Sequence, residues 1–327
     1  MRATTLISQL LATALFLTGT ASLAREAPRT ISLSTGSNLA TWTLPATPVG
    51  GARTHQTPIV YLHGGPGMYT EERRIEMGHA FRAAGFTTVF YDQVGSGQSA
   101  RISASDYSLA RMISDLEALR ISLGAEKLVL WGNSWGAQLA VLYAQAYPAR
   151  VAGFVLTSPG NFPGETFARN YRITKRKTVT IGRELTSAMN QIDRKGGQAE
   201  PAVSQVDSGR LLDVVMNADL LEGMVCKSSN VGQSELPGGA NLFVNRMVQK
   251  EVPKVRHNWA VTMPRVPTLI VRGECDFIPV ESASRYQSVT GGKKIEVPNV
   301  GHGLLENGPA VETILGNFAR VDLAEVP

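Results

Sequence analysis

Two rhythms of apolar residues alternate along this chain. Short apolar runs at residues 59–62 and 128–131, and the largely apolar stretches 87–91 and 151–158, predict buried strands. Between them the period changes to that of a helix. Residues 72–84 read as one helix, and residues 107–123 place Leu109, Met112, Ile113, Leu116, Leu119 and Leu123 on a single stripe. Residues 137–147 repeat Leu139, Ala140, Tyr143 and Ala144 at helical spacing. Strand and helix in alternation imply a mostly parallel sheet with helices on its faces. An opening hairpin is expected from residues 30–33 and 39–44, which flank the turn-rich Ser34-Thr35-Gly36-Ser37-Asn38. After residue 158 the strand rhythm stops for about a hundred residues, with helical stretches near 182–193, 210–225 and 241–250. It resumes at 267–272 and 294–297, and residues 304–318 close the chain as a helix. The expected organisation is a catalytic domain from residues 25–158 and 265–327, with residues 159–264 inserted as a helical lid over its site.

The run at 128–131 and the helix after it are joined by Gly132-Asn133-Ser134-Trp135-Gly136. A serine on so sharp a strand-to-helix turn takes a strained backbone conformation, and glycines two residues to either side relieve the crowding. Its hydroxyl then projects beyond the sheet, beside the amino terminus of the following helix. Ser134 is therefore the candidate nucleophile.

A serine hydroxyl reacts poorly at neutral pH unless a base accepts its proton and a further group holds that base. Polar residues stand at the ends of both late strands: Gly273-Glu274-Cys275-Asp276 after the first and Asn299-Val300-Gly301-His302-Gly303 after the second. Serine, acid and histidine then follow one another in the order that a nucleophile elbow of this kind requires. His302 is the candidate base, with Asp276 or Glu274 as its acid. Strand 59–62 runs directly into His63-Gly64-Gly65-Pro66-Gly67, where the glycines let a substrate approach backbone N–H groups, as an oxyanion hole requires. Gly65 is the first choice for one donor and Gly64 the second choice; the N–H of Trp135 is expected to supply the other. His63 is expected to orient this loop, and Asp92 to fix the glycine-rich turn that follows residues 87–91. His55, His79 and His257 read as surface or structural residues.

Composition adds an address and removes some partners. Residues 1–24 place Arg2 before an apolar stretch at 6–17 and end in Ala21, Ser22 and Ala24, the form of a secretory signal cleaved after Ala24. The expected location is the periplasm or the medium. The apolar stretch falls short of the ~20 residues that a spanning helix needs, so no stable membrane anchor is expected. The formal charge of +5 becomes +4 once Arg2 is removed, and the pI is about 9.3. The basic residues are scattered, however, and the densest group, Arg169 to Lys177, reads as a solvated face, so no nucleic-acid partner is expected. Cys226 and Cys275 are expected to form a bridge, whose loop of about 50 residues would stabilise the fold by ~4 kcal/mol on the chain-entropy model.

The motifs HGGPG at 63–67, YDQVGSGQS at 91–99 and WGNSWGAQLAVLYAQAYP at 131–148 resemble the proline iminopeptidase (prolyl aminopeptidase) branch of the α/β-hydrolases. The resemblance implies an α/β-hydrolase fold with a helical cap, a serine hydrolase without cofactor, and small peptides or amides as substrates. It also favours Asp276 over Glu274 as the acid. Val94 departs from the pattern, since family members usually carry arginine there. The family's cap usually supplies acidic residues that receive the substrate's amino terminus, and that segment has no match here, with Glu222 and Glu235 the nearest candidates. The alternatives are a carboxylesterase or lactonase on the same scaffold and, more remotely, a binding protein without catalysis.

Overall fold

A computed structural model describes residues 27–165, 179–217, 224–226 and 239–327. The expected secretory signal at 1–24, the basic group at 169–177, Glu222 and Glu235 lie outside the described residues. The chain opens with the hairpin β1 (Arg29–Ser32) and β2 (Asn38–Leu44), followed by β3 (Ile59–Leu62). Two short helices, α1 (Glu72–Met77) and α2 (His79–Ala83), lead to β4 (Thr88–Tyr91). Then come α3 (Leu109–Ser122), β5 (Leu128–Asn133), α4 (Trp135–Ala146) and β6 (Val151–Thr157). Between β6 and β7 lie α5 (Val179–Lys195), α6 (Gln205–Asn217), α7 (Leu242–Gln249) and α8 (Trp259–Thr262), with no strand among the described residues. The chain ends with β7 (Thr268–Gly273), α9 (Val280–Thr290), β8 (Lys293–Val297) and α10 (Gly308–Val321).

The eight strands form one sheet in the order β1-β2-β4-β3-β5-β6-β7-β8. Pairing is antiparallel for β1 with β2 and β2 with β4, and parallel from β4 onward. The apolar runs are covered on both sides because successive side chains point to opposite faces. Leu128 and Leu130 enter one core with α3 and α4, while Val129 and Trp131 enter the other with α2 and α10. In the second core the Trp131 ring lies 4.7 Å from Tyr61, 5.1 Å from Phe81 and 5.9 Å from Phe90. Burying such rings contributes about 1.5–3 kcal/mol each relative to leaving them exposed. This packing makes β5 the rigid centre from which Ser134 projects.

Three elements differ from expectation. Residues 72–84 form two helices that meet at Gly78, a weak helix former, where an added Cβ would come within 2.6 Å of the Phe90 ring. The second inserted helix begins earlier than expected, at Gln205, because its first turn is polar: Gln205 accepts hydrogen bonds from the Tyr107 hydroxyl and Asn241. Helix α9 carries serine and threonine among its buried positions, Ser282, Ala283, Tyr286, Val289 and Thr290, so it shows no clean apolar stripe.

The inserted region is fastened to the rest of the chain by buried polar contacts. Asn241, fully buried, donates through Nδ2 to the Gly95 carbonyl at 2.8 Å and through its backbone to the Gly67 carbonyl at 2.8 Å. Asn245 donates to the Pro66 carbonyl at 3.0 Å, and Gly97 N–H to the Gly239 carbonyl at 2.8 Å. Cys226 and Cys275 are joined by a disulfide. Among the described residues no helix is long and apolar enough to cross a membrane.

Candidate active site

Ser134 sits between β5 and α4 with φ 54° and ψ −112°, a left-handed conformation that a side chain rarely adopts. The strain is held from three directions. Ser134 N–H donates to the Thr157 carbonyl at 3.0 Å, and its own carbonyl accepts from Ala137 and Gly160 at 3.1 and 3.0 Å. The flanking glycines serve close approach. A Cβ on Gly132 would lie 2.4 Å from the Gly136 carbonyl oxygen, and one on Gly136 would lie 1.9 Å from that of Leu62. The elbow therefore folds back on itself and presses against β3, which no other residue would allow.

The candidate acid and base meet beyond the ends of β7 and β8. Asp276, its side chain only 1% exposed, faces His302 Nδ1 through Oδ1 at 2.7 Å, and the same oxygen accepts the Ile278 N–H at 2.8 Å. Because a carboxylate oxygen can only accept, the ring proton resides on Nδ1 and the other ring nitrogen is left to act as a base. The His302 ring also packs on Phe277, with centroids 4.4 Å apart. Glu274, the other carboxylate of the turn, instead accepts the Asn299 N–H at 2.9 Å and braces the two loops together.

Ser134, His302, Gly64 and Gly65 line one cavity, together with Tyr61, Met68, Tyr69, Glu71, Arg74, Asn133, Met224 and Gly303. The Ser134 hydroxyl makes no hydrogen bond to any described residue, including His302. A Cβ on Gly64 would touch the Ser134 Cβ at 3.4 Å. Gly65 has φ 121°, and there a Cβ would come within 2.7 Å of the Gly67 and Met68 nitrogens. Gly64 thus stands directly against Ser134, while Gly65 shares the cavity wall with it.

His63 and Asp92 serve structure in this geometry. The fully buried His63 ring donates from Nδ1 to the Gly64 carbonyl at 2.9 Å and accepts the Gln93 N–H at Nε2, also at 2.9 Å. Burial pushes its pKa down to about 4. Asp92 accepts from the Thr70 and Gln98 N–H groups, each at 2.8 Å. Val94, where the expected pattern has arginine, is buried in the core beside these turns.

Arg74, Glu71 and Met224 are site residues that the sequence did not disclose. Arg74 is a buried guanidinium on α1 that donates from Nη2 to the Gly303 carbonyl at 2.7 Å, next to His302. Its Nε lies 3.9 Å from Glu71, the one acid among the described residues of the cavity wall. No periodicity marks an arginine that turns inward from a six-residue helix.

A family profile described as alpha/beta hydrolase fold matches residues 57–177. The chain is 40% identical to the "Probable proline iminopeptidase" of Streptomyces coelicolor over 109 residues, 32% of this chain and 33% of that protein. It is 38% identical to the proline iminopeptidase of Neisseria meningitidis serogroup A over 100 residues, 30% of this chain and 31% of that protein. These matches span about a third of the length of the curated relatives. Among solved structures, the meta-cleavage product hydrolase of Pseudomonas fluorescens IP01 superposes with a TM-score of 0.60 at 18% identity, over 89% of this chain and 97% of that one. The sheet and its flanking helices have the architecture of the α/β hydrolases.

Proposed function

We propose that this chain, which has the α/β-hydrolase fold and resembles the proline iminopeptidases across the segment that carries Ser134, is an exported serine hydrolase working through an acyl-enzyme. The observation that carries the proposal is Ser134, in its strained turn, sharing one cavity with a His302 whose Nδ1 is engaged by Asp276. In the reaction His302 takes the proton as the Ser134 oxygen attacks the substrate carbonyl. Asp276 holds the ring's tautomer and stabilises the imidazolium. The carbonyl oxygen becomes an oxyanion that accepts from the N–H of Trp135 and of Gly65, and losing one such donor typically costs ~10²–10³ in rate. The amine or alcohol leaves with the proton from His302. Water then attacks the ester on Ser134, giving its proton to His302, and the acid departs as the hydroxyl is restored.

The substrate class that the resemblance supports is a small peptide or amide with a free amino-terminal residue. A second reading, a carboxylesterase or lactonase, is favoured by one feature of the cavity. Glu71 is its only acid among the described lining residues, and Arg74 stands beside it, so the wall offers little net charge to an ammonium group. A proline arylamide and a short-chain aryl ester, assayed on the parent and on Ser134→Ala, separate these readings. The aminopeptidase reading expects amide turnover at least comparable with ester turnover, both falling by ~10³-fold or more in the variant. Ester turnover alone selects the second reading, and turnover that survives Ser134→Ala refutes both.

A further inference from the structure

A short piece of the inserted region, residues 224–226, lies against the loop that carries His302. The Gly303 N–H donates to the Met224 carbonyl at 3.1 Å. On the other side of His302, the Gly301 N–H donates to Glu306 Oε1 at 2.9 Å, and that same oxygen accepts the Cys226 N–H at 2.7 Å. Cys226 is bonded to Cys275, the neighbour of Asp276, and the Cys275 N–H donates to the Val300 carbonyl at 3.0 Å. A Cβ on Gly301 would lie 2.5 Å from the Met224 oxygen and 2.6 Å from the Val225 Cα, so the two backbones are in direct contact.

The loop needs such outside support. Asn299 and Leu304 hold it in left-handed conformations, with φ of 56° and 52°; asparagine tolerates this region, but for Leu304 it costs about 1–2 kcal/mol. The N–H groups on both sides of the imidazole end on groups tied to residues 224–226. Glu306 concentrates two of these bonds on one carboxylate oxygen, where charge strengthens them. Met224 lines the cavity beside Ser134 and His302.

We infer that residues 224–226 act as a clasp that positions His302 over Ser134, with Glu306 as its positioning residue and the Cys226–Cys275 bridge as its anchor. The inference rests on the reading of Ser134 and His302 as the reacting pair. Displacing an imidazole by about 1 Å costs up to ~10²-fold in rate, so the clasp acts on the chemical step.

The test measures the rate at which a fluorophosphonate modifies Ser134, together with kcat and KM for the better of the two chromogenic substrates. Parent, Glu306→Ala, Glu306→Gln and the double variant Cys226→Ser/Cys275→Ser are compared. Glu306→Ala and the double variant are expected to react about tenfold slower or worse, with the loss in kcat rather than in KM alone. Glu306→Gln keeps an oxygen that accepts both N–H groups and is expected within about threefold of the parent. Where a variant does not fold, the folded parent is treated with a water-soluble phosphine, which becomes its oxide as the bridge takes up two electrons and two protons. Labelling is then expected to slow, and to recover on reoxidation. The inference is overturned if Glu306→Ala labels at the parent rate, if Glu306→Gln is as slow as Glu306→Ala, or if the reduced parent keeps its full rate. A parent that never labels at Ser134 overturns the reading of the site, and this inference with it.

Discussion

Gln93 grips His63 from two directions: its backbone N–H donates to His63 Nε2 at 2.9 Å, and its side-chain amide donates to the His63 carbonyl at 3.1 Å. The remaining oxygen of the same amide accepts from the Trp135 indole at 2.8 Å. One buried glutamine therefore joins the two loops from which the proposed oxyanion donors come.

Because Nε2 accepts, His63 must stay neutral, and burial holds its pKa near 4 against an ordinary 6.5. A depressed pKa contributes stability that is complete above pH 6.5 and is lost as the pH falls through 4, here on the order of 3 kcal/mol. Burial lowers His55 as well, adding a slope of the same sign. Thermal unfolding of the parent between pH 7 and pH 4 is expected to show a falling midpoint, and His63→Gln a shallower fall. Equal slopes in the two proteins would contradict the neutral, buried assignment.

Gln93→Ala removes the acceptor for the Trp135 indole and one donor to His63. The expected result is a kcat lower by about ten- to a hundredfold with KM changed by less than about threefold, because the loss falls on oxyanion alignment. Trp135→Phe, which keeps the backbone N–H and deletes only the indole donor, is expected to lose less. Steady-state kinetics on the favoured chromogenic substrate check both.

The bridge between Cys226 and Cys275 spans a sequence separation of 49 residues. Alkylation of denatured, non-reduced protein is expected to find neither thiol, and both after reduction. Its loss is expected to cost ~4 kcal/mol in a denaturant titration, as the chain-entropy model gives for a loop of this size. Two reactive thiols without reductant would refute the bridge.

Gly136→Ala would push a methyl group onto the Leu62 carbonyl oxygen, 1.9 Å from the ideal Cβ position. Rigid backbone on both sides leaves no cheap relief, so a loss of about 3 kcal/mol or more is expected, with phosphonylation of Ser134 slowed in parallel. An alanine variant as stable and reactive as the parent would mean that the elbow does not press on β3.

The strands and the elbow were legible because each carries a local cause: an apolar run long enough for one strand, or glycines spaced around a serine. The meeting of an acid with His302 was legible through chain order, since both follow strands of the same sheet, but the choice of Asp276 over Glu274 came from the family resemblance. Arg74 and Met224 were hidden because their roles depend on contacts far along the chain: Arg74 reaches Gly303, and Met224 comes from the inserted region. Helix α9 was hidden for a different reason. Its inward face includes Ser282, whose hydroxyl donates to the Gly160 carbonyl at 2.7 Å, and a polar residue satisfied in this way breaks the stripe that periodicity detects.

The convergence of Ser134, His302 and Asp276 is tested most directly by intact-protein and peptide mass spectrometry after brief exposure to a fluorophosphonate. One adduct is expected, on the peptide containing Ser134, absent in Ser134→Ala and forming ~10³-fold or more slowly in His302→Ala. An adduct on another residue, or a His302→Ala protein that reacts as fast as the parent, would contradict the assignment.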